Sequence, residues 1–146
     1  MKKYIVITGG AGFVGTNLIE FLSKKTQLNI ISLDNYSSGF KKNHISSNKI
    51  KYIKGNTADI EKLLLKYKDK IHSIFHFGEF SRIYQSFKKF DECFQSNSIG
   101  SHAVFKFCVN NKIKLIYSAT SAALGNKNND KNLSPYAFTK YKNIEL

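Results

Sequence analysis

The stretch TGGAGFVG, residues 8–15, closes a short apolar run from Tyr4 to Thr8 and opens an amphipathic one over about Phe13 to Lys24. Gly10, Gly12 and Gly15 satisfy a G-x-G-x-x-G spacing, and Gly9, Gly12 and Gly15 a G-x-x-G-x-x-G spacing. A glycine pattern is informative where a strand gives way to a helix. Bare backbone N–H groups can approach a pyrophosphate there, and the first helical turn adds unpaired donors at its positive dipole end. A tight turn that merely happens to be glycine-rich is the plain alternative, and the flanking strand and helix argue against it. About twenty residues further on, Asp34 closes a second apolar run, where a carboxylate can accept hydrogen bonds from an adenosine ribose and repel a 2′-phosphate. That favours NAD over NADP. Asp34 could otherwise do no more than start a turn with Asn35.

The rest of the chain repeats the alternation of short apolar runs with helical patterns. Strands are expected at Ile30–Leu33, Ile50–Ile53, Ile71–Phe77 and Lys114–Ser118. Helices are expected after Asp59, with Leu63 and Leu64 inward, over Ile99–Asn110 with Ser96 or Ser98 as cap, and from Ser134–Pro135 onward. In the first helix Phe13, Leu18, Phe21 and Leu22 recur near helical spacing. The long polar segment DNYSSGFKKNHISSN reads as a functional or mobile loop, and NKNNDKNL as another loop. Together these predict one α/β unit, a Rossmann-type doubly wound parallel sheet with helices on both faces.

Charge suggests a different partner, and its distribution answers it. The 146 residues hold 23 Lys+Arg against 10 Asp+Glu, a net charge of +13. Arg82 is the only arginine, and the lysines are scattered from Lys2 to Lys142 instead of forming one run or face. Phosphate and base recognition favours arginine forks, so nucleic acid is not the expected partner. No segment approaches the roughly 20 apolar residues of a membrane span, and the apolar run at the N-terminus is too short for a signal peptide; a cytoplasmic location is the expectation. Cys93 and Cys108, without CxxC spacing, read as buried thiols. His44, His72, His76 and His102 lack ligand spacing, so no metal is expected.

Tyr136 and Lys140 stand one helical turn apart in SPYAFTK, hence on one face. A phenol ordinarily titrates near 10, too high for a base at neutral pH; lowering that by about 3 units needs roughly 4 kcal/mol of differential stabilisation. A neighbouring ammonium and a bound nicotinamide cation can supply it in a sheltered cleft. A Tyr-x-x-x-Lys match alone is weak, since both residues are common on helix surfaces. Its place after a glycine-rich loop and a strand-end threonine, Thr120, gives it weight.

TGGAGFVGTNL, DNYSSG, IFHFGEF, NSIGSHAVFKFC, IYSATSAALGN and SPYAFTK occur in this order across the whole chain. In this the sequence resembles the extended short-chain dehydrogenase/reductase family, particularly its NAD-dependent epimerase/dehydratase branch with UDP-glucose 4-epimerase-like members. The resemblance implies that Gly9, Gly12, Phe13, Val14 and Gly15 line the pyrophosphate and that Asp34 and Asn35 hold the adenosine ribose. It further implies that Asn56 and Thr57 meet adenine, where the family more often has Asp-Ile, and that Phe77, Gly78 and Asn97 back the cofactor. Tyr136 becomes the proton shuttle, Lys140 holds the nicotinamide ribose, and Thr120 bonds the reacting oxygen. The substrate is then a nucleotide sugar. Glu79 stands where the family has a small residue, and is expected either to face substrate with Arg82 or to lie on the surface.

Family dehydratases carry Asp-Glu directly after the threonine. Here Ser121 and Ala122 follow Thr120, which disfavours elimination and leaves oxidation and re-reduction, as in a 4-epimerase; a reductase remains open. Leu124 replaces a usual Tyr. Family members continue for about as long again, with a C-terminal substrate domain, and form homodimers through the helices after the fourth and fifth strands. The expectation is therefore a partial NAD-binding domain over residues 1–146, a fragment of the family pattern. A non-catalytic dinucleotide-binding module and a basic nucleic-acid accessory protein are the competing classes.

Overall fold

The computed structural model describes residues 3–121, 129 and 132–146. Ala122, Leu124 and most of the loop 126–133 lie outside the described residues, so the expectations attached to them are not taken further.

Five strands form one parallel sheet: β1 (Tyr4–Thr8), β2 (Asn29–Asp34), β3 (Ile50–Lys54), β4 (Ile71–His76) and β5 (Lys114–Tyr117), in the spatial order β3-β2-β1-β4-β5. The apolar runs are strands because both sheet faces are covered, so neither face has to be polar. Val6, Ile31, Leu33 and Ile74 pack on one side with Ile60 and Leu64 of α2 (Ile60–Leu64) and Val104, Phe107 and Cys108 of α5 (Ser101–Asn110). Ile5, Ile7 and Ile30 pack on the other with Ile19 of α1 (Phe13–Lys25). Strand order reverses between β1 and β4, and the crevice at the carboxyl ends of these two strands is where ligands bind in open α/β sheets.

The inward face of α1 matches the sequence spacing in part: Leu18 and Leu22 pack against the cluster of Ile5, Ile7, Ile19 and Ile30. Phe13 and Phe21 are largely exposed, while Gly15 and Ile19 are buried. Gly15 decides the rotation, because its Cα rests on the backbone of Gly9 and Gly10, and that contact turns the 15/19/22 face toward the sheet.

Two further helices, α3 (Ile83–Lys88) and α4 (Phe90–Phe94), follow β4. Neither Ser96 nor Ser98 caps a helix: both lie in a π-helical segment, Gln95–Gly100, that joins α4 to α5 without a break. The last helix, α6 (Pro135–Glu145), begins as expected, with Ser134 Oγ accepting from Ala137 N at 3.0 Å and Pro135 in the first turn. Among the described residues no helix is long and apolar enough to cross a membrane. Cys93 and Cys108 are both buried and free, and burial raises both thiols, Cys108 to about 11.

Candidate functional site

The turn after β1 commits the amides of Gly9, Ala11 and Gly12 to Leu33 O, Asp34 Oδ2 and Gly9 O, which leaves the first turn of α1 to offer its donors outward. Gly9 adopts φ +70°, and a Cβ there would lie 2.7 Å from the Phe77 carbonyl carbon in the loop after β4. A Cβ on Gly15 would lie 2.7 Å from Gly10 Cα. Gly12 is the residue before α1, extended, and no side chain caps the helix. A Cβ on Gly12 would touch only the Gly9 carbonyl, at 3.3 Å, so this position faces open space. Phe13 and Val14, in the first turn, are exposed. Close packing beneath and open amides above fit a diphosphate.

Asp34 anchors this turn. Its Oδ2 accepts from Ala11 N at 2.8 Å and its Oδ1 from Tyr36 N at 2.7 Å, which leaves lone pairs on both oxygens. Asn35 Nδ2 donates to Asn56 Oδ1 at 2.9 Å, so the ends of β2 and β3 share one rim with Asp34, and Thr57 follows beneath it against Gly78 and Gly100. The 35–45 segment is fastened rather than loose. Asn43 Nδ2 donates to the Ala11 carbonyl at 2.9 Å, and His44 stacks on Tyr52 with ring centroids 3.7 Å apart.

At the other side of the crevice a buried polar chain crosses the sheet. Thr8 Oγ1 accepts from Phe77 N at 3.2 Å and Gly78 N at 3.0 Å, so its proton goes to His76 Nδ1, 2.6 Å away. His76 therefore carries its proton on Nε2 and donates to Ser101 Oγ at 2.9 Å, and Ser101 donates to Glu79 Oε1 at 2.7 Å. Desolvation holds His76 well below its usual range, at about 4, against the opposing pull of the Glu79 anion.

Glu79 is the hub of this chain, which corrects two expectations of it: it is buried instead of on the surface, and its charge partner is Lys140, not Arg82. Its side chain is 4% exposed and forms an ion pair with Lys140, itself 6% exposed. Lys140 also donates to the Ser118 carbonyl and sits 4.4 Å from the centroid of the Tyr117 ring. Glu79 Oε1 further accepts from Tyr117 Oη at 3.1 Å and Asn143 Nδ2 at 2.9 Å. Burial and then the Glu79 anion push the Tyr117 phenol up. Sequence could not reveal the pair, whose members are 61 residues apart; the departure from a small residue at position 79 was the only signal.

The structure thus brings Gly9, Gly12, Gly15, Asp34, Asn35, Asn56, Thr57, Phe77 and Gly78 to one edge of the sheet. Lys140 reaches the end of β5 through Ser118, two residues before the half-buried Thr120. Tyr136, in the first turn of α6, is half-buried; its backbone N donates to Ser86 Oγ at 3.3 Å. Asn97 is buried and holds the loop after β4 by accepting from Phe80 N at 2.6 Å and donating to Phe80 O at 3.1 Å. Its side chain is therefore committed to shaping the crevice wall. Among the described residues no cluster of three or more His, Cys, Asp or Glu could hold a metal.

The family model for the NAD dependent epimerase/dehydratase family matches residues 5–146. The chain belongs to that family. The family is NAD-dependent, and NAD is the cofactor. Among curated epimerase/dehydratase relatives, an ADP-L-glycero-D-manno-heptose-6-epimerase of Brachyspira hyodysenteriae is 30% identical, covering 94% of this chain and 46% of that protein. A dTDP-D-glucose 4,6-dehydratase of Dictyostelium discoideum is 33% identical over 88% of this chain and 32% of its own length. A solved UDP-N-acetylglucosamine 4-epimerase of Methanobrevibacter ruminantium superposes with a TM-score of 0.81 at 30% identity, over 98% of this chain and 49% of that one. An epimerase of Methanothermobacter thermautotrophicus gives a TM-score of 0.85 at 26% identity, over 97% and 45%. The chain spans about half, or less, of the length of these epimerase/dehydratase relatives.

Proposed function

We propose that this chain forms the NAD-binding half of a nucleotide-sugar epimerase that works by oxidation and re-reduction. The observation that carries the reading is the shared edge. The open glycine turn, the Asp34 rim and the Tyr136–Lys140 helix all meet the carboxyl ends of the same parallel strands. Gly9, Gly12, Phe13, Val14 and Gly15 would take the pyrophosphate, Asp34 and Asn35 the adenosine ribose, and Asn56 and Thr57 the adenine side. Phe77 and Gly78 would back the cofactor, with Asn97 holding their loop in place. NAD supplies the hydride acceptor when bound. Tyr136 would then take the proton of a sugar hydroxyl and Thr120 would bond the same oxygen, while Lys140, in its ion pair with Glu79, would hold the nicotinamide ribose.

Ser121, which follows Thr120, has no acid/base group suited to eliminating water, and this supports epimerisation over dehydration. The exposed Phe87, Phe90 and Phe138 on α3, α4 and α6 offer an apolar surface that supports homodimerisation through the helices after β4 and β5.

The test is fluorescence titration of the purified chain with NADH, beside turnover of UDP-glucose and UDP-N-acetylglucosamine in the presence of NAD. NADH binding with turnover that Tyr136→Phe abolishes supports the full reading. Binding without turnover restricts the chain to a dinucleotide-binding role. No binding refutes the proposal.

A further inference from the structure

Lys140 enters the site already neutralised. Its ammonium is buried against the Glu79 carboxylate, and among the described residues that carboxylate has no other ion-pair partner. Four donors, from Ser101, Tyr117, Asn143 and Lys140, converge on its two oxygens. Every one of them stabilises an anion. Among the described residues the other titratable groups around the pair are His76 on β4, held neutral by burial, the Cys93 thiol of α4, raised by burial, and the phenols of Tyr117 on β5 and Tyr136 on α6. The local sum of Glu79 and Lys140 is zero, where a lysine beside a small residue would leave one positive charge.

That sum matters for a dinucleotide whose oxidised nicotinamide is a cation and whose reduced form is neutral. An uncompensated ammonium in a sheltered site repels the oxidised form and leaves the reduced form untouched. We propose that Glu79 sets the redox preference of the bound cofactor: by cancelling the Lys140 charge it holds the oxidised form in the site instead of biasing the site toward the reduced one. Glu79 acts through Lys140 and its own field and is a positioning residue, not a group that touches the reacting atoms. The proposal deepens the NAD-site reading and rests on it.

The measurement is the ratio of dissociation constants, Kd(NAD+)/Kd(NADH), by calorimetry and by fluorescence, in wild type, Glu79→Gln and the double variant Glu79→Gln/Lys140→Met. Glu79→Gln uncovers one positive charge. The ratio is expected to rise by about threefold if that charge lies roughly 12 Å from the nicotinamide in an effective dielectric of about 40, and by about thirtyfold at roughly 8 Å and about 20. The double variant buries no charge and is expected to keep the wild-type ratio within about twofold, even though losing the lysine weakens both forms. A general loss of structure would weaken both forms together and leave the ratio in place. A folded Glu79→Gln with an unchanged ratio overturns the proposal. Should Glu79→Gln not fold, the double variant decides: a ratio displaced by more than about threefold overturns it. Wild type that binds neither form sinks the NAD-site reading itself, an outcome distinct from binding of both with an unmoved ratio.

Discussion

Acid should unfold this protein through His76 before it reaches the surface carboxylates. The imidazole is fully buried between Thr8 and Ser101 and is neutral in the folded chain, with its titration pushed down from 6.5 to about 4 by desolvation. An unfolded chain takes up that proton near 6.5. Between these values the unfolded state binds more protons, so stability rises with pH: the contribution is complete above about 6.5 and lost as pH falls toward about 4. A displacement of 2.5 units, from 6.5 to about 4, corresponds to roughly 3 kcal/mol, a large share of a small domain's total. His76→Gln offers an acceptor to Thr8 and a donor to Ser101 but no titrating group. Urea unfolding followed by circular dichroism from about pH 7 to about pH 4.5 should show wild type losing about 2–3 kcal/mol more than His76→Gln over that interval. Parallel stability curves for the two proteins would refute the reasoning, because they would place the acid sensitivity elsewhere.

Gly15→Ala would press a methyl onto Gly10 Cα and the Gly9 carbonyl; overpacking of this kind costs about 1–3 kcal/mol, and NADH affinity by fluorescence should fall at least about tenfold as the turn is displaced. Asp34→Asn keeps an acceptor for Ala11 N but removes the anion, so the preference for NADH over NADPH should shrink by about tenfold or more, read as the ratio of the two dissociation constants. Ser134→Ala removes the oxygen that receives Ala137 N, and urea unfolding should show a loss of about 1 kcal/mol with NADH affinity nearly unchanged.

Much of this architecture was legible because each signal was local. A strand covered on both faces must be apolar along its length, so Tyr4–Thr8 and Ile71–His76 stood out. Ser134 and Pro135 act within one turn of themselves. The glycine turn was legible for the same reason, since the need for bare backbone is written in consecutive residues. What escaped was what depends on distant partners. The spacing of Phe13, Leu18, Phe21 and Leu22 fits a helical face, yet only Leu18 and Leu22 pack on the core, because Gly15 against Gly9 and Gly10 turns Phe13 and Phe21 outward. Ser96 and Ser98 carry cap chemistry, but a helix already running through them leaves no free N-terminus to cap. Glu79 read as either substrate-facing with Arg82 or a surface residue, because charged residues seldom enter a core unless paired, and the pairing lysine is on the last helix.

The wide turn at Gln95–Gly100 is a place where chain length can change without moving what flanks it. A π-helical turn closes on i→i+5 bonds where an α-turn closes on i→i+4, so it holds about one residue more for the same rotation. Losing one exposed residue there, such as Gln95, would let the turn close to α geometry and leave Cys93 3.9 Å from Thr139 Oγ1 on α6 and Ser101 beside His76. Asn97 is the residue that such a shortening could not spare, because its side chain holds Phe80 in the loop after β4.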